Sequence, residues 1–146
     1  MKIEDIYKSW EEDNSFDIAD LSGESANIPK LHNKYFVIYI EEGMRLKKLR
    51  EDFKQFKQHK ADWYTGKMAP EDIKDYGWEP GPGRNYLKQE IPGALDSDPD
   101  VINFALKIGT QELKVEYLES IIKMINNRGF QIKSIIDFER FKAGLS

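Results

Sequence analysis

The stretch from Pro29 to Lys67 constrains the fold of this chain more than any other. Proline suits the first turn of a helix, and a glycine such as Gly66 is a typical helix stop. From Ile28 onward, apolar side chains recur at alternating spacings of three and four residues, as in the seam of a helical bundle. The first of these are Ile28, Leu31, Tyr35 and Ile38. The pattern predicts one long helix, residues 28–67, against which the rest of the chain packs.

The second half of this predicted helix combines an apolar face with a basic one. Leu49, Phe53, Phe56 and Trp63 lie within about 80° of each other on a helix. A neighbouring stripe holds Lys47, Arg50, Lys54, Lys57 and Lys60. A solvated surface beside a core face explains such a pattern. Cations on a rigid helix beside aromatic rings also suit single-stranded nucleic acid, which needs phosphate neutralisation and base stacking.

The remaining segments predict an all-α fold with two long antiparallel helices, a short helix near each end and an irregular crossover. Residues 1–27 form an acidic N-terminal arm with a short helix at 2–12. Residues 68–98 form a Gly/Pro-rich crossover, and Ala69-Pro70-Glu71-Asp72 within it resembles a helix start. Residues 99–146 form a helical oligomerisation region. All four segments are predicted to belong to one domain, 1–146.

Within the last segment, Ser97 or Asp98 followed by Pro99 predicts a capped helix start. The helix should run to Asn127 and stop at Asn126-Asn127-Arg128-Gly129. Its predicted apolar face is widened by further side chains over an arc broad enough for burial on two sides. The face consists of Ile102, Ala105, Leu106, Leu113, Tyr117, Ile121, Met124 and Ile125, and the widening residues are Phe104, Ile108, Val115, Leu118 and Ile122.

A third helix, from Phe130 to Ala143, is rich in large apolar side chains. They are either buried as in an ordinary helix or used for self-association. The predicted oligomerisation residues are Ile132, Ile135, Ile136, Phe138 and Phe141.

Several classes of site are disfavoured by the residues present. The chain has no cysteine, so neither a disulfide framework nor a thiolate metal site is expected. No apolar run approaches the ~18 residues of a membrane span. His32 and His59 stand outside any metalloprotease or metal-ligand spacing. We expect no catalytic residue, metal or cofactor, and a protein that is not an enzyme. An enzyme site in the 76–95 crossover would require carboxylates to converge there on folding.

Charge is distributed unevenly along a chain whose net charge is −4. Residues 1–27 carry a net −6, residues 43–67 a net +5, residues 68–100 a net −5 and residues 123–146 a net +3. A polyanion responds to a local field more than to the total charge. The basic block at 43–67 therefore remains a candidate nucleic-acid surface in an acidic protein.

Two motifs carry a resemblance to a known family. Lys60-Ala61-Asp62-Trp63-Tyr64-Thr65-Gly66-Lys67 resembles the basic–acidic–aromatic–aromatic–small–Gly–basic motif of UvsY, the recombination mediator family of myovirus phages. Asn126-Asn127-Arg128-Gly129-Phe130-Gln131-Ile132-Lys133-Ser134-Ile135, continuing to Phe141-Lys142-Ala143-Gly144, resembles the C-terminal signature of that family. The opening Met1-Lys2-Ile3-Glu4-Asp5-Ile6 is similar as well.

The resemblance implies a function without catalysis. It implies binding of single-stranded DNA and loading of the phage recombinase (UvsX-like) onto strands covered by the phage single-stranded-DNA-binding protein. It also implies ring-like homo-oligomers of about six or seven subunits, in the cytoplasm of the infected host cell. Gln58 stands where the family pattern has a basic residue. The expected nucleic-acid-binding residues are Lys47, Arg50, Lys54, Lys57, Lys60, Trp63, Tyr64 and Lys67.

A different class of function fits the same residues. A non-catalytic helical adaptor, or scaffold, could use the basic stripe to bind an acidic protein partner. Trp63 and Tyr64 either stack on bases or pack in the core, and the sequence does not decide between these roles.

Overall fold

Helices make up almost all of the regular structure. A computed structural model describes residues 1–145, and in this range there is no β-strand. Its α-helices are α1 (Ile3–Asp13), α2 (Leu21–Ala26), α3 (Ile28–Thr65), α4 (Pro70–Tyr76), α5 (Ile91–Ser97), α6 (Pro99–Asn126) and α7 (Arg128–Lys142). Short 3-10 turns at Ile18–Asp20 and Lys88–Glu90 precede α2 and α5. The all-α prediction with two long helices is confirmed.

Local signals set the ends of the long helices. After Thr65, Gly66 adopts the left-handed conformation with φ +75°, and the N–H of Lys67 donates to the carbonyl of Asp62 at 2.8 Å. At the start of α6, Asp98 Oδ1 accepts hydrogen bonds from the N–H groups of Asp100 (2.9 Å) and Val101 (3.0 Å). These groups would otherwise have no partner in the helix, so Asp98, of the two candidates Ser97 and Asp98, is the N-cap.

The predicted stop after α6 is only partly correct. The helix ends at Asn126, but α7 begins two residues later at Arg128, and Gly129 lies in its first turn. Asn127 keeps right-handed helical angles (φ −88°, ψ −5°), and its carbonyl accepts from the N–H of Gln131. The chain therefore turns from α6 into α7 through Asn127, and the predicted start of α7 at Phe130 was too late.

The crossover contains two short helices as well as irregular chain. Pro70 lies in the first turn of α4, as predicted, and Gly77 ends it with φ +70°. The N–H of Trp78 donates to Ile73 O at 3.1 Å and that of Gly77 to Lys74 O at 3.0 Å. This pair of bonds is a Schellman motif, which fixes the direction of the chain after the helix. The short helix α5 was not predicted.

Contacts within the chain cluster into two compact units. The first unit comprises residues 1–44 and 112–145, and the second comprises residues 45–111. The second unit shows the antiparallel course of the long helices directly. Phe53 stacks on Phe104 with ring centroids 5.0 Å apart, while Lys60 lies 2.9 Å from Asp100. Residue numbers therefore rise along α3 as they fall along α6.

The core of the first unit is formed by α1, α3 and α6. Its fully or nearly buried members are Ile6, Leu31, Tyr35, Leu118, Ile121 and Ile125. The hydroxyl of Tyr35 donates to Asp13 Oδ2 at 2.8 Å and lies 2.9 Å from Ser9 Oγ. Because a buried hydroxyl is costly unless it is hydrogen-bonded, these contacts allow a tyrosine to occupy the core.

Arg128 fixes residues 13–24 to the start of α7. It is 4% exposed, and its guanidinium donates to the carbonyls of Asp13 (3.3 Å) and Ser15 (3.2 Å). It also donates to Glu24 Oε2 at 3.0 Å, and its Cζ atom lies 4.1 Å from the ring centroid of Phe16. The sequence analysis placed Arg128 only in the predicted helix stop and in the C-terminal signature.

The buried face of α6 agrees with the predicted one only in part. Of the predicted face, Ile121 and Ile125 are buried and Tyr117 is half-buried, whereas Ile102, Ala105, Leu106, Leu113 and Met124 are exposed. The buried apolar residues of α6 are Val101, Ile108, Leu118, Ile121 and Ile125. A helix that is apolar over a wide arc does not reveal from its period which side packs. None of the helices described is long and apolar enough to cross a bilayer.

Candidate nucleic-acid interface

Four of the predicted cations form an outward-facing stripe on α3. Lys47, Arg50, Lys54 and Lys57 are all exposed, and their positions fall within about 80° around the helix axis. Lys54 pairs with Glu51 at 2.9 Å, and Lys57 Nζ lies 4.8 Å from the ring centroid of Phe53. Exposed pairs contribute only about 0–1 kcal/mol, so they do not prevent a lysine from engaging a phosphate.

Lys60 occupies a different environment from this stripe. Its helical position coincides with the face of Phe53 and Phe56, and it is 3% exposed. Its ammonium lies 2.9 Å from Asp100 and 3.3 Å from Asp98. The same ammonium lies 4.1 Å from the ring centroid of Trp78 and 4.7 Å from that of Trp63. The sequence placed Lys60 with the cationic stripe, whereas the fold encloses it among carboxylates and indoles.

Asp98 connects Lys60 with Tyr64 and with the start of α6. Its Oδ2 accepts a hydrogen bond from the hydroxyl of Tyr64 at 2.6 Å, while its Oδ1 caps α6. Burial raises the pKa of this carboxyl. The hydrogen bonds from Tyr64 and the N–H of Val101, together with the charge of Lys60, outweigh burial and hold the pKa below its usual value. Asp98 is therefore an ionised, fully engaged carboxylate at neutral pH.

Trp63 and Tyr64 are both half-buried and use their polar groups within the chain. Trp63 Nε1 donates to the carbonyl of Glu79 at 2.7 Å. Tyr64 donates to Asp98, and its ring meets Tyr86 edge-on at 4.9 Å. Burial and the nearby Asp98 carboxylate raise the pKa of Tyr64. The aromatic pair thus holds the crossover against the end of α3.

An aromatic cluster extends this arrangement into the crossover. Trp78 stacks on Tyr76 with centroids 4.3 Å apart and planes at 9°. Phe56 meets both rings edge-on, at 5.8 Å for Tyr76 and 5.6 Å for Trp78. The sequence signalled none of these contacts, because Tyr76 and Trp78 lie in a segment without periodicity.

Lys67 lies beyond the end of α3. The structure brings a second basic residue, Lys88, close to it, and the sequence analysis did not include Lys88 among the candidates. Lys67 and Lys88 line one shallow concavity of about 340 Å3, whose other lining residues include one carboxylate, that of Asp62, as well as Gln58, Ile91 and Pro92. Lys88 comes from the 3-10 turn before α5, so its proximity to Lys67 depends on the path of the crossover. It extends the set of candidate phosphate contacts beyond α3.

The predicted oligomerisation residues all lie on α7 but differ in burial. Ile132 is buried in the first unit and Ile135 is half-buried, whereas Ile136, Phe138 and Phe141 are exposed. Phe130, which was not predicted, is 72% exposed. Phe130, Phe138 and Phe141 lie within about 80° of each other, on the side of α7 opposite Ile132. We refer to these three residues as the phenylalanine stripe.

The histidines make ordinary aromatic contacts. His59 Nδ1 lies 2.9 Å from the hydroxyl of Tyr76, and His32 stacks on Phe36 at 5.4 Å. Among residues 1–145, no group of three or more histidine, aspartate or glutamate side chains is arranged to hold a metal ion.

Comparison with known proteins matches residues 9–145 to the family model described as "Recombination, repair and ssDNA binding protein UvsY". Three crystal structures of the bacteriophage T4 recombination mediator protein UvsY resemble the chain at 22% identity. Their TM-scores are 0.80, 0.76 and 0.74, covering 97%, 98% and 94% of this chain and 99%, 98% and 98% of theirs. Comparison with curated protein sequences gives no match.

Proposed function

Because this chain belongs to the UvsY family of recombination, repair and single-stranded-DNA-binding proteins, we propose that it acts as a recombination mediator. The resemblance carried by the two sequence motifs is thereby confirmed. In the proposed role, the protein binds single-stranded DNA and promotes loading of a recombinase onto strands covered by single-stranded-DNA-binding protein. The host cytoplasm is the proposed place of action.

The observation that carries the proposal is the outward stripe of Lys47, Arg50, Lys54 and Lys57. All four side chains are exposed on one rigid helix, and Lys67 lies further along the same chain segment. Cations fixed along a helix can neutralise successive phosphates of an unpaired strand, and their number determines the salt dependence of binding. We assign phosphate contact to these residues and to Lys88.

The motif residues Lys60, Trp63 and Tyr64 receive a positioning role in this proposal. Lys60 is enclosed by Asp98 and Asp100, and the aromatic pair donates hydrogen bonds within the second unit. These contacts hold the crossover against α3 and α6. They support the stripe by fixing the helix that carries it, rather than by touching the strand.

Self-association of the subunits would present the weakly binding basic stripe several times in one assembly. The phenylalanine stripe on α7 leaves three large apolar rings exposed, and a second copy of the chain is the simplest partner for such a face. A ring of about six or seven subunits presents the basic stripe repeatedly, so a strand bound at one subunit meets the next at high effective concentration. Competing affinities would then displace the covering protein without nucleotide hydrolysis.

Salt-dependent oligonucleotide binding tests the stripe. Lys54→Ala with Lys57→Ala should lower the affinity for single-stranded DNA. It should also reduce the salt slope, which is the steepness with which the logarithm of the binding constant falls with the logarithm of salt concentration, by about 0.7 for each phosphate contact removed. The matched control, Lys30→Ala with Lys133→Ala, removes the same charge from exposed positions of the first unit. Fluorescence anisotropy with a labelled single strand measures both. Equal slopes in the two double variants would remove the stripe from the proposal. Binding of polyglutamate with no measurable DNA affinity at low salt would favour the adaptor function.

A further inference from the structure

We propose that the concavity lined by Lys67 and Lys88 takes one unpaired nucleotide of a bound strand, with the pairing edge of its base on Asp62. The inference rests on the proposed binding of single-stranded DNA and deepens it, because it names the feature that selects unpaired strands. The concavity has a volume of about 340 Å3, which is at the small end of ligand sites. It therefore has room for one nucleotide rather than several.

Two lysines supply positive charge to this concavity that the chain itself does not neutralise. Lys67 and Lys88 are exposed, and among residues 1–145 neither ammonium has a hydrogen-bond or ion-pair partner. The carboxylate of Glu90, two positions after Lys88, is engaged by Arg84 at 3.6 Å. Both ammonium groups are therefore available for backbone phosphates.

Asp62 adds a hydrogen-bond acceptor to the same concavity. Its Oδ1 accepts from Nε2 of Gln58, one turn earlier on α3, at 3.1 Å. This contact restrains the carboxylate, and no group within residues 1–145 donates to its Oδ2. The N–H of Lys67 donates to the carbonyl of Asp62 at 2.8 Å, which keeps the cation next to the acceptor in the chain. A ligand that satisfies both must carry an anion and an N–H donor.

A nucleotide of an unpaired strand combines these two groups. Its phosphate is anionic, and each of the four bases carries an N–H donor on the edge used for pairing. Ile91, which is 9% exposed, and Pro92 in the first turn of α5 add apolar surface against which the base can lie. In a duplex the pairing edge is occupied by the opposite base, whereas an unpaired base leaves it open to a side chain. The concavity therefore selects unpaired strands with little regard for their sequence.

Charge argues against an acidic peptide as the occupant. Its carboxylates would be attracted by Lys67 and Lys88, but they would also face Asp62, which has the same sign of charge. Like charges placed together at an interface disfavour a partner. A base brings a donor to the same position, so the carboxylate that repels a peptide favours the nucleotide.

Methylation of the pairing edge tests the role of Asp62 directly. The probe is a short thymidine oligonucleotide, compared by fluorescence anisotropy with the same strand methylated at N3 of every thymine. The methyl group removes the N–H donor and leaves every phosphate in place. The protein should bind the unmethylated strand about threefold to tenfold more tightly, as expected for one net hydrogen bond.

Variants of Asp62 separate hydrogen bonding from charge. Asp62→Ala should abolish the preference for the unmethylated strand, and Asp62→Asn, whose carbonyl still accepts, should keep part of it. Loss of the charge alone would instead raise the affinity for both strands equally. Asp75→Ala is the matched control, because it removes an exposed carboxylate of the same unit, and it should keep the full preference.

The outcomes distinguish this inference from the proposed function. Salt-dependent binding with equal affinity for the two strands overturns the inference and leaves the proposed function standing. So does a preference that survives Asp62→Ala, since the base would then be read elsewhere. A glutamate-rich peptide that binds, and that Lys67→Ala with Lys88→Ala weakens while neither strand is preferred, would make a peptide the occupant and also overturn the inference. Absence of binding to either strand at low salt overturns both.

Discussion

Replacing Lys60 by methionine tests the division of roles among the cations of α3. Breaking a buried ion pair costs about 3–5 kcal/mol when one charge is left without a partner. Asp98 keeps three donors in the variant, namely the hydroxyl of Tyr64 and the N–H groups of Asp100 and Val101. The side chain of Asp100 is 51% exposed and regains water.

The expected loss is therefore at the lower end, about 3 kcal/mol, which corresponds to a Tm lower by roughly 6–12 °C for a chain of this size. Lys57→Met is the matched control, since it makes the same substitution at an exposed site. It should cost only about 0.5–1 kcal/mol, the value of its cation–π contact with Phe53.

Urea unfolding at one fixed protein concentration measures the stability, because the proposed self-association would make it concentration-dependent. Oligonucleotide anisotropy, recorded where both variants are folded, measures the salt slope. Lys57→Met should reduce the slope by about 0.7, and Lys60→Met should leave it unchanged. A Lys60→Met protein that is as stable as the parent but has the shallower slope would show that Lys60 contacts phosphate, and the reasoning from burial would be wrong.

Three further changes test the N-cap residue Asp98, the buried guanidinium of Arg128 and the phenylalanine stripe. The depressed pKa of Asp98 means that its contribution to stability is complete above the ordinary carboxyl pKa and is lost as pH falls through the lower folded value. In Asp98→Asn, the free energy of unfolding should therefore fall less steeply than in the parent as the pH is lowered below about 4. Arg128→Met should raise hydrogen exchange of residues 14–24 by about tenfold or more, a loss of ~1.4 kcal/mol in local stability. Phe138→Ala with Phe141→Ala should give smaller species in sedimentation velocity with unchanged helicity, because both rings are exposed.

Each of these changes has an outcome that contradicts it. If the free energy of unfolding falls as steeply at low pH in Asp98→Asn as in the parent, the pH dependence belongs to other carboxylates. Unaltered exchange in Arg128→Met would mean that α2 and its flanking turns are held without the guanidinium. An assembly of parent size after loss of both phenylalanines would place the subunit contact elsewhere. Ile18→Ala, an exposed apolar residue of the same unit, is the control for that measurement.

Local sequence determined the helices of this protein and most of their ends. A proline in the first turn, a glycine after the last and an aspartate before Pro99 act through backbone conformation and hydrogen bonds a few residues away. These interactions need no tertiary partner, so α3 and the start of α6 could be predicted. The family resemblance also lay in contiguous motifs. The exceptions were the short helix α5, which was not predicted, and Asn127, whose helical angles carry the chain from α6 into α7 past the expected stop.

Tertiary structure alone decided which of the charged side chains are buried. Lys60 and Lys57 are the same residue type three positions apart, yet Lys60 is buried because Asp98 and Asp100, far along the chain, supply two carboxylates at its position. Arg128 is buried because the carbonyls of residues 13 and 15 meet it. Burial of a charge depends on the partner that compensates its lost hydration, and a partner supplied by another helix leaves no signal in the local sequence.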